Sequence, residues 1–349
     1  MHMTRRSFLS GLPIGAAGVA VGASMRSNIA SAAGLLSEKA TVSFVTGTDR
    51  RDAMVQALKP FEKQIAKALD GKRVLIKPNN VWDSNPLCAT HPDAIRGVLD
   101  FLKPIYPDTV YVGESTASPK GTSYTFEEYG YLPLEREYNA KLWDLNTDGW
   151  TDEWIIGTNA TPNAVKIINA FLDPDTYVIS LARMKTHNCV LATLSLKNIA
   201  MASPINFPAG HKLFVSNQQE KAKMHEGGGT VGINWNLYQL LPLVRPDFCV
   251  IDGVEGMEGN GPANGTPVEH GIVLAGTDVV AVDRIGIELM GIDYADVAYL
   301  QWCANAGFGQ GNRDLITVNG PDISAHVVKY RMNDNIDWQL EWKKGWNSG

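Results

Sequence analysis

The chain has 349 residues, with 31 lysines and arginines against 37 aspartates and glutamates, for a formal net charge of −6. An acidic chain without a basic block offers no electrostatic case for binding nucleic acid. Its apolar content of 44% is that of a globular protein, and its length allows one large domain with a substantial core.

Thr4-Arg5-Arg6-Ser7-Phe8-Leu9 places two arginines ahead of an apolar, glycine-rich run from Gly11 to Ala23, and small residues follow at Ala30-Ser31-Ala32-Ala33. Residues 1–32 therefore read as a twin-arginine signal peptide, a partner of the machinery that exports folded proteins. Pro13 and several glycines interrupt the run, which is shorter than the ~20 apolar residues a membrane span requires. No cysteine near the cleavage region suggests a lipid anchor. The expected mature form, residues 33–349, is periplasmic or secreted and not membrane-inserted. It keeps 28 basic and 37 acidic residues, because the signal carries three arginines and no acid.

Beyond the signal, Thr41 to Gly47 reads as a strand from its β-branched content. Arg51 to Leu69 reads as a helix broken or kinked at Pro60. Arg73 to Lys77 is a continuous apolar strand running into Pro78-Asn79-Asn80. A helix to Leu102 follows, with Thr90 as the expected N-cap and Pro92 in its first turn. Thr109 to Gly113 is a strand that ends at Glu114-Ser115. This alternation predicts an α/β fold, with a mostly parallel or mixed sheet flanked by helices in a single large domain.

Short strands are expected at 141–145 and 165–168, a clearer one at 176–182, and a helix over 192–202. Residues 203–231 read as long loops with a short helix. A strand at 248–251 runs into a glycine-rich stretch, 253–265, expected to form a loop. A strand at 272–276, a helix capped by Thr277 or Asp278 and running to Met290, a helix at 297–306 and a strand at 316–318 complete the pattern. Trp338, Trp342 and Trp346, spaced by four, predict a packed terminal helix.

Chemistry-bearing residues gather where these strands end, which is where open α/β sheets bind ligands. Lys77, Glu114, Lys185, His187 and Asp252 are placed in this way. Lys185 and Lys197 suit an anionic group, a carboxylate or a phosphate. Lys197 and Asn198 lie in an otherwise apolar helical stretch, where a buried lysine costs several kcal/mol unless it is paired. His187 is a candidate proton carrier or metal ligand. With His211, His225 and Asp252 it forms a candidate divalent-metal set suited to zinc, iron or nickel. Gly259 and Gly261 belong to the glycine-rich stretch, whose amides could cradle an anion. It matches neither the Walker nor the dinucleotide pattern. Cys88, Cys189, Cys249 and Cys303 have no Cys-x-x-Cys spacing, so the chain is expected to carry no iron–sulfur cluster of its own.

Several motifs in order carry a family resemblance. They are Lys77-Pro78-Asn79, Gly113-Glu114-Ser115, Lys185-Thr186-His187, Ser195-Leu196-Lys197-Asn198, Asp252-Gly253 with Gly256-Met257-Glu258-Gly259-Asn260-Gly261-Pro262, and Gly276 to Asp283. Over about residues 41–320 the chain resembles the DUF362 family, whose function is unknown. Many members resemble iron–sulfur proteins because a ferredoxin-like cluster domain is attached, and this sequence departs from them in lacking the cysteine array. The resemblance marks polar residues and supplies no reaction.

Two functions compete on these residues. One is a periplasmic enzyme acting on a small anionic or polyhydroxylated substrate, metal-assisted or not, by hydrolase, lyase or epimerase chemistry. Lys77, Lys185 and Lys197 would orient the substrate, His187 would be base or ligand, and Glu114 and Asp252 would handle protons or metal. The alternative is a binding protein for a small solute or a metal-bearing cofactor, without turnover. A structural or protein–protein module would instead scatter the polar motifs over the surface.

Overall fold

The computed structural model describes residues 38–83, 85–206 and 220–344. The export signal over 1–32, His211 and Trp346 lie outside the described residues. Eleven strands are described: β1 (Ala40–Thr46), β2 (Arg73–Pro78), β3 (Val110–Glu114), β4 (Ala140–Asp144), β5 (Trp150–Ile156), β6 (Pro162–Ile168), β7 (Thr176–His187), β8 (Leu191–Thr193), β9 (Phe248–Asn260), β10 (Asn264–Gly276) and β11 (Ile316–Asn319). Nine form one sheet in the order β11-β1-β10-β9-β7-β2-β3-β4, with β8 paired to β7, while β5 and β6 form a separate hairpin. The sheet is mixed. The pairs from β4 through β9 are parallel, as is β1 with β11, whereas β10 runs antiparallel to both its neighbours.

Both faces are covered, and the strand sequences show it. On β7, Tyr177, Ile179 and Leu181 face one core and Val178 the other; on β9, Phe248 and Val250 oppose Cys249 and Ile251. Strands buried on both faces read as continuous apolar runs because the period-two alternation brings no polar side. One layer contains the helices Arg50–Leu58 and Pro92–Leu102; the other contains Ser195–Ala200, Gly229–Val244 and Val279–Leu289.

Several expectations change. The first predicted helix divides at a 3₁₀ turn, Lys59–Phe61, around Pro60. The helix Pro92–Leu102 is capped by His91, whose Nδ1 accepts from the Asp93 N–H at 3.1 Å. The Thr90 hydroxyl is taken up instead by the Asn79 N–H and the Leu181 carbonyl, both at 2.8 Å. The predicted helix over 192–202 starts later, at Ser195, because Leu191–Thr193 folds back on the end of β7 as β8. The stretch read as loops up to 231 already contains the first turn of Gly229–Val244, and β5 was not foreseen.

The glycine-rich stretch is not a loop: β9 and β10 extend through it as a long hairpin. Its glycines permit close approach of neighbouring chain. A Cβ at Gly256 would overlap the Tyr330 hydroxyl and one at Gly261 the Thr186 carbonyl. The terminal tryptophans do not share one buried face either. Trp342 packs edge-on against Trp302, whereas Trp338 is exposed. All four cysteines are free thiols, and only Cys189 is partly exposed.

Candidate functional site

β2 and β7 lie side by side and parallel, with Lys77 opposite Ser180. The sheet continues from β2 to β3 on one side and from β7 to β9 on the other. Where connections diverge in this way, a crevice opens at the carboxyl ends of the two strands. Lys77, Asn79 and Asn80 close β2, and Arg183, Lys185 and His187 close β7.

Lys77 Nζ lies 3.0 Å from Glu114 Oε2 and donates to Asn198 Oδ1 at 2.6 Å and to the Asn198 carbonyl at 3.0 Å. Glu114 also accepts the backbone N–H groups of Asn80 at 2.9 Å and Ser115 at 2.8 Å. Asn198 Oδ1 takes a second donor, Asn79 Nδ2, at 3.1 Å. Asn79 Oδ1 in turn accepts from Lys185, which also donates to the Cys88 carbonyl at 3.2 Å. A continuous polar relay therefore runs Lys185–Asn79–Asn198–Lys77–Glu114, joining β7, β2, the helix Ser195–Ala200 and β3.

Lys197 sits in that same short helix. It is only 6% exposed, and its side chain makes no hydrogen bond or ion pair among the described residues. The helix is held at its start by Asp283, which accepts from the Ser195 and Leu196 N–H groups at 2.8 and 2.9 Å. Burial pushes the Asp283 carboxyl up to about 7 despite those two bonds. A fourth lysine, Lys221, secures the other end, donating to the Met201 carbonyl at 2.7 Å, the Pro204 carbonyl at 3.0 Å and Ser115 Oγ at 2.9 Å.

These lysines are not ordinary. Burial is the largest effect on each, bringing Lys185 to about 7, Lys197 to about 8 and Lys221 to about 7, and lowering Lys77 against the opposing pull of Glu114. They also depress one another: Lys185 feels Lys197, Arg183 and Lys77, and Lys221 feels Lys77 and Lys197. Burial, followed by Lys197, His225 and Lys185, holds His187 well below its usual range, so its imidazole is neutral. His187 Nδ1 accepts the Cys189 N–H at 3.0 Å, which assigns the ring proton to Nε2. Asn80, 1% exposed, has no partner for either atom of its side-chain amide. The carboxyl ends of β2 and β7 thus bring together buried lysines of which only Lys77 pairs with a carboxylate, Glu114, and an Asn80 side-chain amide without a partner follows β2.

Of the residues singled out from the sequence, Lys77, Glu114, Lys185, Lys197 and Asn198 come together here, with His187 coupled to Lys185 and Lys197. Asp252 joins a different set. Its carboxylate lies 3.0 Å from Arg50 Nε and accepts the Val254 N–H at 3.2 Å, beside the Arg183–Glu255 ion pair. His225 is exposed, 3.8 Å from the Cys189 thiol through Nδ1. Among the described residues no group of three or more His, Cys, Asp or Glu side chains is arranged to hold a metal ion. The backbones of Gly259 and Gly261 are already engaged: the Gly259 N–H donates to Arg331 O, the Gly261 N–H to Gly259 O, and Thr186 Oγ1 to Gly259 O. Sequence reasoning did not single out Lys221, which looks like a surface residue of Glu220-Lys221-Ala222-Lys223. The sequence signal for Asp283 is an acid inside the otherwise apolar run Val279-Val280-Ala281-Val282-Asp283.

The model of the family described as "Domain of unknown function (DUF362)" matches residues 74–288, which include every lysine of the crevice. The chain belongs to the DUF362 family. A thylakoid-associated protein of Synechocystis is similar to this chain, 26% identical over 233 residues that make up 65% of this chain and 65% of that protein. Two solved structures overlap with the fold in part. The lactate racemase apoprotein from Thermoanaerobacterium thermosaccharolyticum has a TM-score of 0.32 at 9% identity, covering 62% of this chain and 51% of its own. A protein from Thermotoga maritima has a TM-score of 0.33 at 10% identity, covering 64% and 55%. Among the described residues no helix is long and apolar enough to cross a membrane.

Proposed function

We propose that the crevice between β2 and β7 binds a small anionic or polyhydroxylated molecule and acts on it as a periplasmic enzyme, reached through twin-arginine export. The observation that carries this reading is the excess of buried cations. Of the four lysines only Lys77 pairs with a carboxylate, Glu114, and the Lys197 side chain has no hydrogen-bond or ion-pair partner among the described residues. An unpaired buried ammonium is costly, and a bound carboxylate or phosphate would offset that cost. Lys185 and Lys197, held near neutrality, can exchange protons at physiological pH. Glu114 is committed to Lys77 and two backbone donors, so proton transfer falls to a lysine or to His187.

The test is calorimetric titration of the purified protein with phosphate and small carboxylates, followed by a metabolite screen for turnover. Lys185→Met should weaken anion binding at least tenfold, and His187→Ala should lower turnover more than affinity. Failure of every anion to bind would remove the reading. The commitment of Glu114 as a fixed counterion favours one alternative, a solute-binding protein, and tight binding without conversion across the screen would select it.

A further inference from the structure

A cavity of about 610 Å³ opens where the turn of the β9–β10 hairpin, the end of β7 and the segment 333–335 meet. Its volume falls within the roughly 300–1,000 Å³ of small-molecule sites. The close approach of Gly261 to the Thr186 carbonyl, which a Cβ would block, sets the hairpin turn beside Asn188. Asn188, Asn260, Asn264, Asn333 and Asn335 line the cavity with Asp334 and residues 261–263. Among the described residues its walls include no cation and no aromatic ring. Three of the amides are fixed by neighbours. Asn260 Nδ2 donates to Asp334 Oδ2 at 2.8 Å, and Asn260 Oδ1 accepts the Asp334 N–H at 3.1 Å. Asn333 Nδ2 donates to the Gly261 carbonyl at 3.1 Å, and Asn335 Nδ2 to the Asn188 carbonyl at 2.8 Å. The oxygens of these two accept the Asn335 N–H at 3.3 Å and Gln339 Nε2 at 2.8 Å. A primary amide has two N–H groups and two acceptor lone pairs, so each of the three keeps one donor and one acceptor. Asn188 and Asn264 are exposed. Asn188 uses only its oxygen, which accepts from the Cys189 thiol at 3.4 Å, and the Asn264 side chain makes no hydrogen bond among the described residues.

Five amides brought together from three distant stretches of chain suit one ligand chemistry. A hydroxyl donates and accepts at once, as an amide does, so neighbouring hydroxyls on a ring can be met by the nitrogen and oxygen of one asparagine. The Asp334 carboxylate adds further acceptors, and with no cation in the walls its charge disfavours an anionic ligand. A single carboxylate is too few for a hard cation, and walls without aromatic rings give an apolar ligand little to bind. We propose that this cavity is a second binding site, for a neutral saccharide held through its hydroxyl groups. It lies outside the lysine crevice, and its argument is independent of the anion-binding reading.

Saturation-transfer NMR on the purified protein tests the site, with glucose, galactose, N-acetylglucosamine and cellobiose at millimolar concentration as probes. Inorganic phosphate is the probe of the lysine crevice. At least one of the sugars should bind, and saturating phosphate should leave its binding unchanged. Asn188→Ala combined with Asn264→Ala removes two exposed side chains and keeps the Asn188 carbonyl that Asn335 bonds. This double variant should weaken the sugar by at least about fivefold while phosphate binds as before, and Lys185→Met should do the reverse. Binding by none of the sugars, displacement of bound sugar by phosphate, or full sugar affinity in the double variant overturns the inference. Sugar binding without phosphate binding removes the anion crevice and leaves this site standing. Phosphate binding without sugar binding removes this site alone.

Discussion

Asn79 Nδ2 donates to Asn198 Oδ1 at 3.1 Å, and through this one bond the lysine of β7 and the lysine of β2 belong to the same network. Asn198 accepts from Lys77 and Asn79 while its own Nδ2 donates to the Lys77 carbonyl at 3.2 Å and to Ser180 Oγ at 3.1 Å. Every polar atom of this buried side chain is thus used.

Asn198→Ala should therefore be among the more damaging single changes. It strands the Lys77 ammonium and the Asn79 amide, and the expected loss is about 2–4 kcal/mol of unfolding free energy. Urea denaturation measures it. A loss below about 0.5 kcal/mol would mean the network is replaced by solvent.

Glu114→Gln removes the counterion of Lys77 while keeping the shape. Leaving a buried charge uncompensated costs about 3–5 kcal/mol. Because the crevice then carries a larger cationic excess, millimolar phosphate should restore more stability to this variant than to the unaltered protein. Thermal melts with and without phosphate make the comparison, and equal shifts in both would count against an anion site here.

The lysines give the pH dependence a definite sign. Lys185, Lys197 and Lys221 release their protons near 7–8 when folded but near 10.5 when unfolded. Between these values the unfolded chain binds more protons, so stability should rise with pH, by at most about 1.4 kcal/mol per pH unit for each lysine. Lys185→Met with Lys197→Met should flatten the rise from pH 7 to 9 in denaturant titrations. Anion affinity should change in the opposite direction, falling above pH 8 as the ammonium groups discharge.

Asp283 acts in the reverse sense. Its carboxyl is raised from 3.8 to about 7 in the folded protein, so the folded state binds the extra proton between those values. Its contribution is most favourable below pH 4 and is lost as pH rises through 7. Asp283→Asn should abolish this component. It also withdraws one of the two oxygens that hold the Ser195 and Leu196 N–H groups, and should weaken phosphate binding severalfold by loosening the helix that carries Lys197. Calorimetry on the variant, paired with a stability profile from pH 4 to 7, separates the two effects.

What the sequence determined by itself was local. Apolar runs such as Arg73-Val74-Leu75-Ile76-Lys77 specify strands buried on both faces, since few other environments accept so many consecutive β-branched and leucine side chains. The lysine within Leu194-Ser195-Leu196-Lys197-Asn198-Ile199 was legible as an anomaly for the same reason. The alternation of these runs with helices was enough for the α/β class and for a site at strand ends. Only the tertiary structure decided who meets whom. Nothing in the linear order says that Asp252 is paired with Arg50, a contact spanning 202 positions, or that Lys221 turns inward to cap carbonyls at the end of the Lys197 helix. Nor does it say that the glycines of 253–265 serve close chain packing in a hairpin. Those outcomes depend on which strands become neighbours and on which buried polar atoms must then find partners, and both are properties of the assembled sheet.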